Sequence, residues 1–106
     1  MSKPHAFQLS YSISPLKKVH EAEAEKARRH MREKMGWTTV DDVETTLLGE
    51  VTLASGTQEE KRREARTLLR KQIRDAFKAL EVEHLINFNS SLMVSGLTPA
   101  IELDIP

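Results

Sequence analysis

The chain has 106 residues, enough to bury a hydrophobic core unaided, and it has no cysteine, which excludes disulfides, thiolate metal sites and cysteine nucleophiles. Its content of 39% hydrophobic and 30% charged residues is typical of a folded globular protein. Sixteen cations balance sixteen acids, no apolar run approaches about 20 residues, and the N-terminus has no signal-peptide pattern. We therefore expect one cytoplasmic domain, residues 1–106, with no membrane partner.

The N-terminal part of the chain predicts a strand followed by a helix. Apolar residues alternate with small polar ones over residues 6–13, a period of two that indicates a half-buried strand. Ser14 and Pro15 form a favourable N-cap and N1 pair, and Gly36 is a typical helix stop, so the first helix is expected over residues 15–35. The side chains expected to face the core are those of Leu16, Val19, Ala24, Ala27, Met31 and Met35.

The next segment predicts one clear strand and one ambiguous one. Residues 37–40 fit either a loop or a short strand that turns at Asp41 and Asp42. Residues 43–53 alternate in hydrophobicity, and Gly49 among them indicates a bulge or a close backbone contact.

The strongest helical pattern covers residues 57–83. Thr57 and Glu60 have the spacing of a capping box, which predicts that the helix starts at this point. Apolar side chains then recur every three or four residues and share one face. They are Ala65, Leu68, Leu69, Ile73, Ala76, Phe77 and Leu80.

The C-terminal part predicts two strands in a hairpin. Residues 86–94 keep the strand period, although Asn89 to Ser91 could interrupt it, residues 96–99 have turn composition, and residues 101–105 alternate again. One-faced strands indicate helices on one side of a sheet. We predict an α+β two-layer sandwich with two helices on one face of a four- or five-stranded mixed or antiparallel sheet, and a ferredoxin-like plait is favoured. The expected core includes Phe7, Leu9, Leu47, Leu69, Ile73, Phe77, Phe88 and Leu103.

Charge is unevenly distributed along the chain. The first predicted helix holds seven cations and four acids, the second region holds eight cations and six acids, and the remaining residues are mostly acidic, which predicts a cationic helix layer and an anionic strand layer. On the second helix a ladder of cations recurs every fourth residue from Arg62 to Lys78, and we expect it opposite the apolar face. The candidate residues for binding an anionic partner are Arg63, Arg66, Arg70, Lys71, Arg74 and Lys78.

Two interpretations of this ladder remain open. Like charges four residues apart cost on the order of 1 kcal/mol over the whole ladder in an isolated helix. Water, salt and neighbouring acids can offset that cost, and the sequence offers acids on both helices. Alternatively, the planar forks of the arginines are suited to the phosphates or carboxylates of a partner. The acids concerned are Glu21, Glu23, Glu25, Glu59, Glu64 and Asp75.

The sequence has no pattern that indicates a catalytic, metal or cofactor site. It lacks a glycine-rich phosphate loop, a spaced histidine pair and a serine with a local base, and it suggests no small-molecule substrate. The sequence has two clusters of acidic residues, but neither is expected to converge on a metal ion. The first is typical of a turn that leads into the outer face of a strand, and the second alternates along the outer face of a strand. The clusters are Asp41, Asp42 and Glu44 in one case, and Glu102 and Asp104 in the other.

These observations predict a small non-enzymatic interaction module that self-associates through a sheet edge or face, as a homodimer for example, and meets an anionic partner through its helices. Anionic protein surfaces and nucleic-acid backbones are the partner classes considered. The alternative is a small nucleic-acid-binding or ribonuclease-like protein of ferredoxin-like fold, whose catalytic group would come from Asp41, Asp42, Glu44 or His84. The predicted outer sheet face has no stacking aromatics, so nucleic acid is expected on the helix layer.

Overall fold

The structure, a computed structural model, describes residues 2–40 and 43–105. It has two α-helices and an open five-stranded antiparallel sheet, an α+β architecture, with strand order β2-β3-β1-β4-β5. The predicted turn at Asp41 and Asp42 lies outside the described residues. The elements are β1 (Lys3–Pro15), α1 (Glu21–Glu33), β2 (Thr38–Val40), β3 (Val43–Leu53), α2 (Gln58–Ala79), β4 (Ile86–Val94) and β5 (Leu97–Glu102).

The start of the first helix differs from the prediction. Ser14 and Pro15 pair with β4 as the end of β1, so they do not cap a helix, and α1 begins at Glu21 after a short 3-10 turn. Pairing with β4, which is distant in sequence, therefore determines the conformation of Ser14 and Pro15, and their local preference for a helix start does not. Leu16 and Val19 precede the helix and are 51% and 78% exposed. The rest of the predicted stripe is confirmed, with Ala24, Ala27 and Met31 buried and Met35 partly buried against the core.

Gly49 permits a close contact between the sheet and the chain that follows α1. A Cβ atom at this position would lie 2.7 Å from Phe7 Cζ and 2.8 Å from Trp37 Cδ1. The two rings pack edge to face with their centroids 5.3 Å apart. The sequence predicted either a bulge or a close contact at Gly49. Phe7 and Gly49 remain in register between β1 and β3, so the structure has the close contact and no bulge at this position. The short strand after α1 is also confirmed as β2.

The C-terminal hairpin is longer than the sequence pattern indicated. β4 continues without interruption through Asn89, Ser90 and Ser91. Gly96, with φ of +80°, turns the chain, so that β5 begins at Leu97 inside the predicted turn. Beyond β5, Ile105 forms a single bridge with Phe88.

One hydrophobic cluster joins both helices to the buried face of the sheet, and all eight core residues expected from the sequence belong to it. On α2 the buried side chains are Ala65, Leu69, Ile73 and Phe77, a row with a spacing of four residues. Leu68 was predicted to face the core but is 38% exposed, because its position is rotated by about 100° from that of Leu69.

We expect Phe77→Ala to lower the free energy of unfolding by about 3 to 5 kcal/mol, because it leaves a cavity in the cluster. Leu68→Ala is the matched control on the exposed side of the same helix, and its loss should stay below about 1 kcal/mol. Chemical denaturation of both variants measures the difference. Similar losses for the two would show that α2 buries a different face.

The capping box at the start of α2 is confirmed. The Thr57 backbone N–H donates to Glu60 Oε1 at 3.1 Å, and the Glu60 N–H donates to Thr57 Oγ1 at 3.1 Å. These contacts, chiefly the backbone hydrogen bond from Thr57, hold the pKa of Glu60 below its ordinary value. The ionised carboxylate therefore stabilises the fold above the ordinary carboxyl pKa, and that stabilisation is lost as the pH falls through the lowered pKa.

Thr57→Ala should accordingly cost about 1 kcal/mol of unfolding free energy at neutral pH. Glu60→Gln should reduce the loss of stability on acidification, because it removes the titrating carboxylate. Urea unfolding of the wild type and both variants at neutral and acidic pH measures these effects. An unchanged acid sensitivity in Glu60→Gln would contradict the role given to this carboxylate.

Candidate functional site

The cationic ladder of α2 winds around the helix beside the buried row, and the prediction that it lies opposite the apolar face is wrong. Residues four positions apart are rotated by about 40° from one another. The buried row and the ladder share this spacing, so the two run side by side. The ladder begins at the half-buried Arg62, passes the half-buried Arg70 and ends at the exposed Lys78.

The first end of the ladder borders β5. Arg62 Nη2 donates to the backbone oxygen of Ala100 at 3.3 Å, which holds this side chain against the strand. Beside it lies a shallow depression of about 200 Å³. Its lining residues are Glu59, Arg62, Arg63, Arg66 and Ile101.

The other candidate cations line a second depression further along α2, with a volume of about 440 Å³. It brings together four of the six residues predicted from the sequence, while Arg63 and Arg66 line the first depression. Its lining residues are Thr67, Arg70, Lys71, Arg74, Asp75 and Lys78.

Two of the six candidate cations have acidic partners four residues away. Arg63 lies 3.8 Å from Glu59, and Lys71 lies 3.3 Å from Asp75. Both pairs are well exposed, so each contributes little stability. Within the described chain the other four candidate cations form no salt bridge. We call these four the unpaired row: Arg66, Arg70, Arg74 and Lys78.

Two of the three arginines of the first helix, Arg28 and Arg32, are instead engaged within the fold. Arg28 Nη1 lies 2.9 Å from Glu21 Oε1 and 3.3 Å from Glu25 Oε2, and its Nε and Nη2 both donate to the Ile13 backbone oxygen. Arg32 lies 3.4 Å from Glu25. The hydrogen bond from Arg28 is the main cause of the lowered pKa of Glu25.

The acids proposed to offset the ladder are therefore largely occupied elsewhere. Glu21 and Glu25 bind the arginines of α1, and Glu59 and Asp75 bind cations outside the unpaired row. Glu64 Oε1 accepts the Ala54 backbone N–H at 2.8 Å. These acids therefore do not neutralise the unpaired row. The first interpretation of the ladder, in which neighbouring acids offset its charge, does not apply to these four cations.

The unpaired row is long and shallow rather than pocket-like. Lys78 lies twelve positions after Arg66, or about 18 Å along the axis, and rows with this spacing incline by about 26° to a helix axis. Arginine forks donate paired hydrogen bonds to phosphate or carboxylate oxygens. Such a row can bind negative charges repeated along a line.

The outer face of the sheet presents different chemistry. Exposed polar or acidic side chains on it include Gln8, Glu50, Asn87 and Glu102. The five aromatic residues do not provide a stacking surface there, because four are buried and Trp37 is half-buried. The four buried rings are those of Phe7, Tyr11, Phe77 and Phe88.

Among the remaining candidates for catalysis, His84 is the residue whose side chain the structure describes. The exposed His84 lies with its Nε2 3.8 Å from Oε1 of the half-buried Glu83, while Asp41 and Asp42 lie outside the described residues. Among the side chains that the structure describes, no three histidine or acidic groups are clustered to hold a metal ion. None of the helices in residues 2–40 and 43–105 is long and apolar enough to cross a membrane.

Comparison with known proteins adds no functional information: no protein-family model, no curated protein and no solved structure matches this chain.

We expect the triple change of Arg66, Arg70 and Arg74 to Gln to leave the free energy of unfolding unchanged or to raise it by up to about 1 kcal/mol, because it removes like-charge pairs along α2. Denaturation at low salt measures the effect, and the gain should shrink at high salt. A loss above about 1 kcal/mol would show that these side chains are needed for packing.

Proposed function

We propose that this protein is a non-enzymatic binding module that holds a linear polyanion along the unpaired row of α2. The observation that carries this proposal is the row of cations on α2 that have no acidic partner, in contrast with two of the three arginines of α1. The arginines Arg28 and Arg32 of α1 have acidic partners inside the fold, whereas Arg66, Arg70 and Arg74 have none within the described chain. Cations left side by side on a folded helix are available to an external anion.

The shape of the row favours a polymer over a small anion. Its cations are spread over about 18 Å, so a single phosphate or carboxylate would meet only one or two of them. A chain of phosphates can instead meet them in succession and release its condensed counterions. Three of the four cations are arginines, whose forks match phosphate oxygens.

A nucleic-acid backbone is therefore the partner class that we favour. The described surface has no exposed Phe, Tyr or Trp ring on which bases could stack, and the row itself consists of arginine and lysine side chains. Contacts to phosphates position a protein on nucleic acid but do not read its sequence. Binding should accordingly depend on charge and salt and be indifferent to base sequence.

We also propose a ferredoxin-like plait with one added strand as the specific fold. In support, β1 and β3 lie in the centre of the order β2-β3-β1-β4, and each α-helix joins two strands that are separated by another. The single cluster shared by α1, α2 and alternate strand residues supports a two-layer arrangement with both helices on one face. The unpaired row would then lie on the helix layer, and the outer sheet face would remain free.

Titration of labelled duplex DNA, single-stranded RNA and heparin at several salt concentrations tests the proposal. If the four cations each displace one counterion, log K should fall with log salt with a slope of about −3.6 for duplex DNA and about −2.8 for single-stranded RNA. The Gln triple variant at positions 66, 70 and 74 should bind more weakly, with a slope shallower by about 2 to 3.

The matched control changes Lys26, Arg29 and Lys34 to Gln, which removes the same charge from exposed positions at and next to α1. It should retain most of the affinity and slope, because it leaves the unpaired row intact. Equal losses in the two triple variants would mean that net charge, not the row, determines binding. No binding to any of the three polymers at low salt would contradict the proposal and leave an anionic protein surface to be tested.

The same mixtures test the enzymatic alternative when divalent cations are added. We expect labelled RNA and DNA to remain intact, because among the described side chains no three histidine or acidic groups are clustered to hold a catalytic metal ion. Cleavage that is abolished by changing Asp41, Asp42, Glu44 or His84 would instead support a ribonuclease-like function.

A further inference from the structure

The strand β3 is much longer than the strand that covers it. It has eleven residues, whereas β2 has three and reaches only as far as Leu48. Across residues 2–40 and 43–105, no strand pairs with the rest of β3 on the side away from β1. We call this stretch, residues 49–53, the open edge.

An exposed strand edge offers unpaired N–H and C=O groups to another chain, and proteins usually protect such edges. The β5 edge is protected in three ways. Pro99 removes one donor, the pairing with β4 shifts register between Leu92 and Val94, and Arg62 occupies the backbone oxygen of Ala100. The β2 edge is short and also has a register shift.

The open edge lacks each of these protections. It contains no proline or basic residue, and it stays in register with β1 throughout. Val51 and Leu53 are buried toward the core, while Glu50 and Thr52 are exposed on the outer face. An added strand with the same alternation would extend both faces of the sheet without burying a charge.

We propose that the open edge pairs antiparallel with the open edge of a second copy of this chain, around a twofold axis at Thr52. Directly opposed residues in an antiparallel pair must lie on the same face of the sheet. The twofold axis must therefore lie midway between the two copies of one residue. Near the centre of the open edge that residue is Val51 or Thr52. An axis at Val51 brings the two Glu50 carboxylates into diagonal contact, which is unfavourable. An axis at Thr52 instead places Glu50 opposite the partner's Ala54.

The pairs formed by this register are favourable in chemistry and size. Thr52 faces its own copy, a pairing in which hydroxyls can hydrogen-bond, and Val51 faces the partner's Leu53 on the apolar side. The partner's segment after Leu53 reads Ala-Ser-Gly and would run toward Gly49 and Leu48. There it would run beside a shallow depression of about 540 Å³, lined in part by Trp37 and Thr38.

This pairing is independent of the polyanion proposal, because no residue of the unpaired row lies in the open edge. It relies on backbone hydrogen bonds, which salt screens little, whereas the row relies on exposed charges. Dimerisation can therefore fail while polyanion binding is retained, and the reverse is also possible.

Cysteine cross-linking tests the register directly, because the chain contains no cysteine of its own. Under mild oxidation Thr52→Cys should form a disulfide-linked dimer more than about tenfold faster than Ser12→Cys, since a disulfide needs its two Cα atoms within about 7 Å. Ser12 is an exposed position on central strand β1 and is the matched control. Equal rates for the two variants would overturn the proposed register.

Sedimentation of the whole chain tests the association itself. The wild type should form a dimer at high micromolar concentration, and Thr52→Lys should shift it to monomer because two cations then face each other across the axis. Ser12→Lys adds the same charge away from the edge and should remain dimeric. A wild type that is monomeric at these concentrations, or a Thr52→Lys variant that is still dimeric, would overturn the proposal.

Discussion

The burial of one row of side chains on α2 determines where the rest of the structure can place its charges. Ala65, Leu69, Ile73 and Phe77 are buried with a four-residue spacing and join the apolar face of the sheet in one cluster. The cations follow the same spacing, so fixing the first row against the core also fixes the path of the second. That coupling brings the half-buried Arg62 against β5 and leaves Arg74 and Lys78, at the other end of the ladder, exposed.

The two helices use arginine for different purposes. On α1, Arg28 joins two acids of its own helix to the backbone of β1, so its guanidinium acts as a structural tie. On α2 the nearby acids bind Arg63 and Lys71, and they do not reach the unpaired row. Composition alone does not separate these roles, because both segments carry an excess of cations. The distribution of acidic partners in the folded chain separates them.

Most elements were predictable from local patterns, because their signals agree with the tertiary structure. β3 has its predicted bounds, the capping box at Thr57 forms, and Gly36 adopts the positive φ expected of a helix stop. Predictions were wrong where a distant segment decides the outcome. Ser14 and Pro15 look like a helix start, yet β4 pairs with them, and no local pattern carries that information.

The candidate site was predictable as a set of residues but not as a geometry. The four-residue spacing identified every cation of the unpaired row. The orientation was missed because the apolar pattern included Leu68 and so appeared broader than the row that is buried. Which cations remain unpaired depends on rotamers and on acids such as Glu64, which binds the Ala54 N–H instead of an arginine.

The edges of the sheet and the cations of α2 bind partners through different interactions, so the two kinds of binding respond to different conditions. Surface cations act through long-range attraction that salt weakens, while strand edges act through short-range hydrogen bonds that depend on register. Two copies joined at their open edges would present two unpaired rows in one particle. A polymer long enough to reach both would then bind more tightly without any new kind of contact, because the second binding step would be intramolecular. Cooperation between the two surfaces would thus follow from geometry, with no change in the shape of either one.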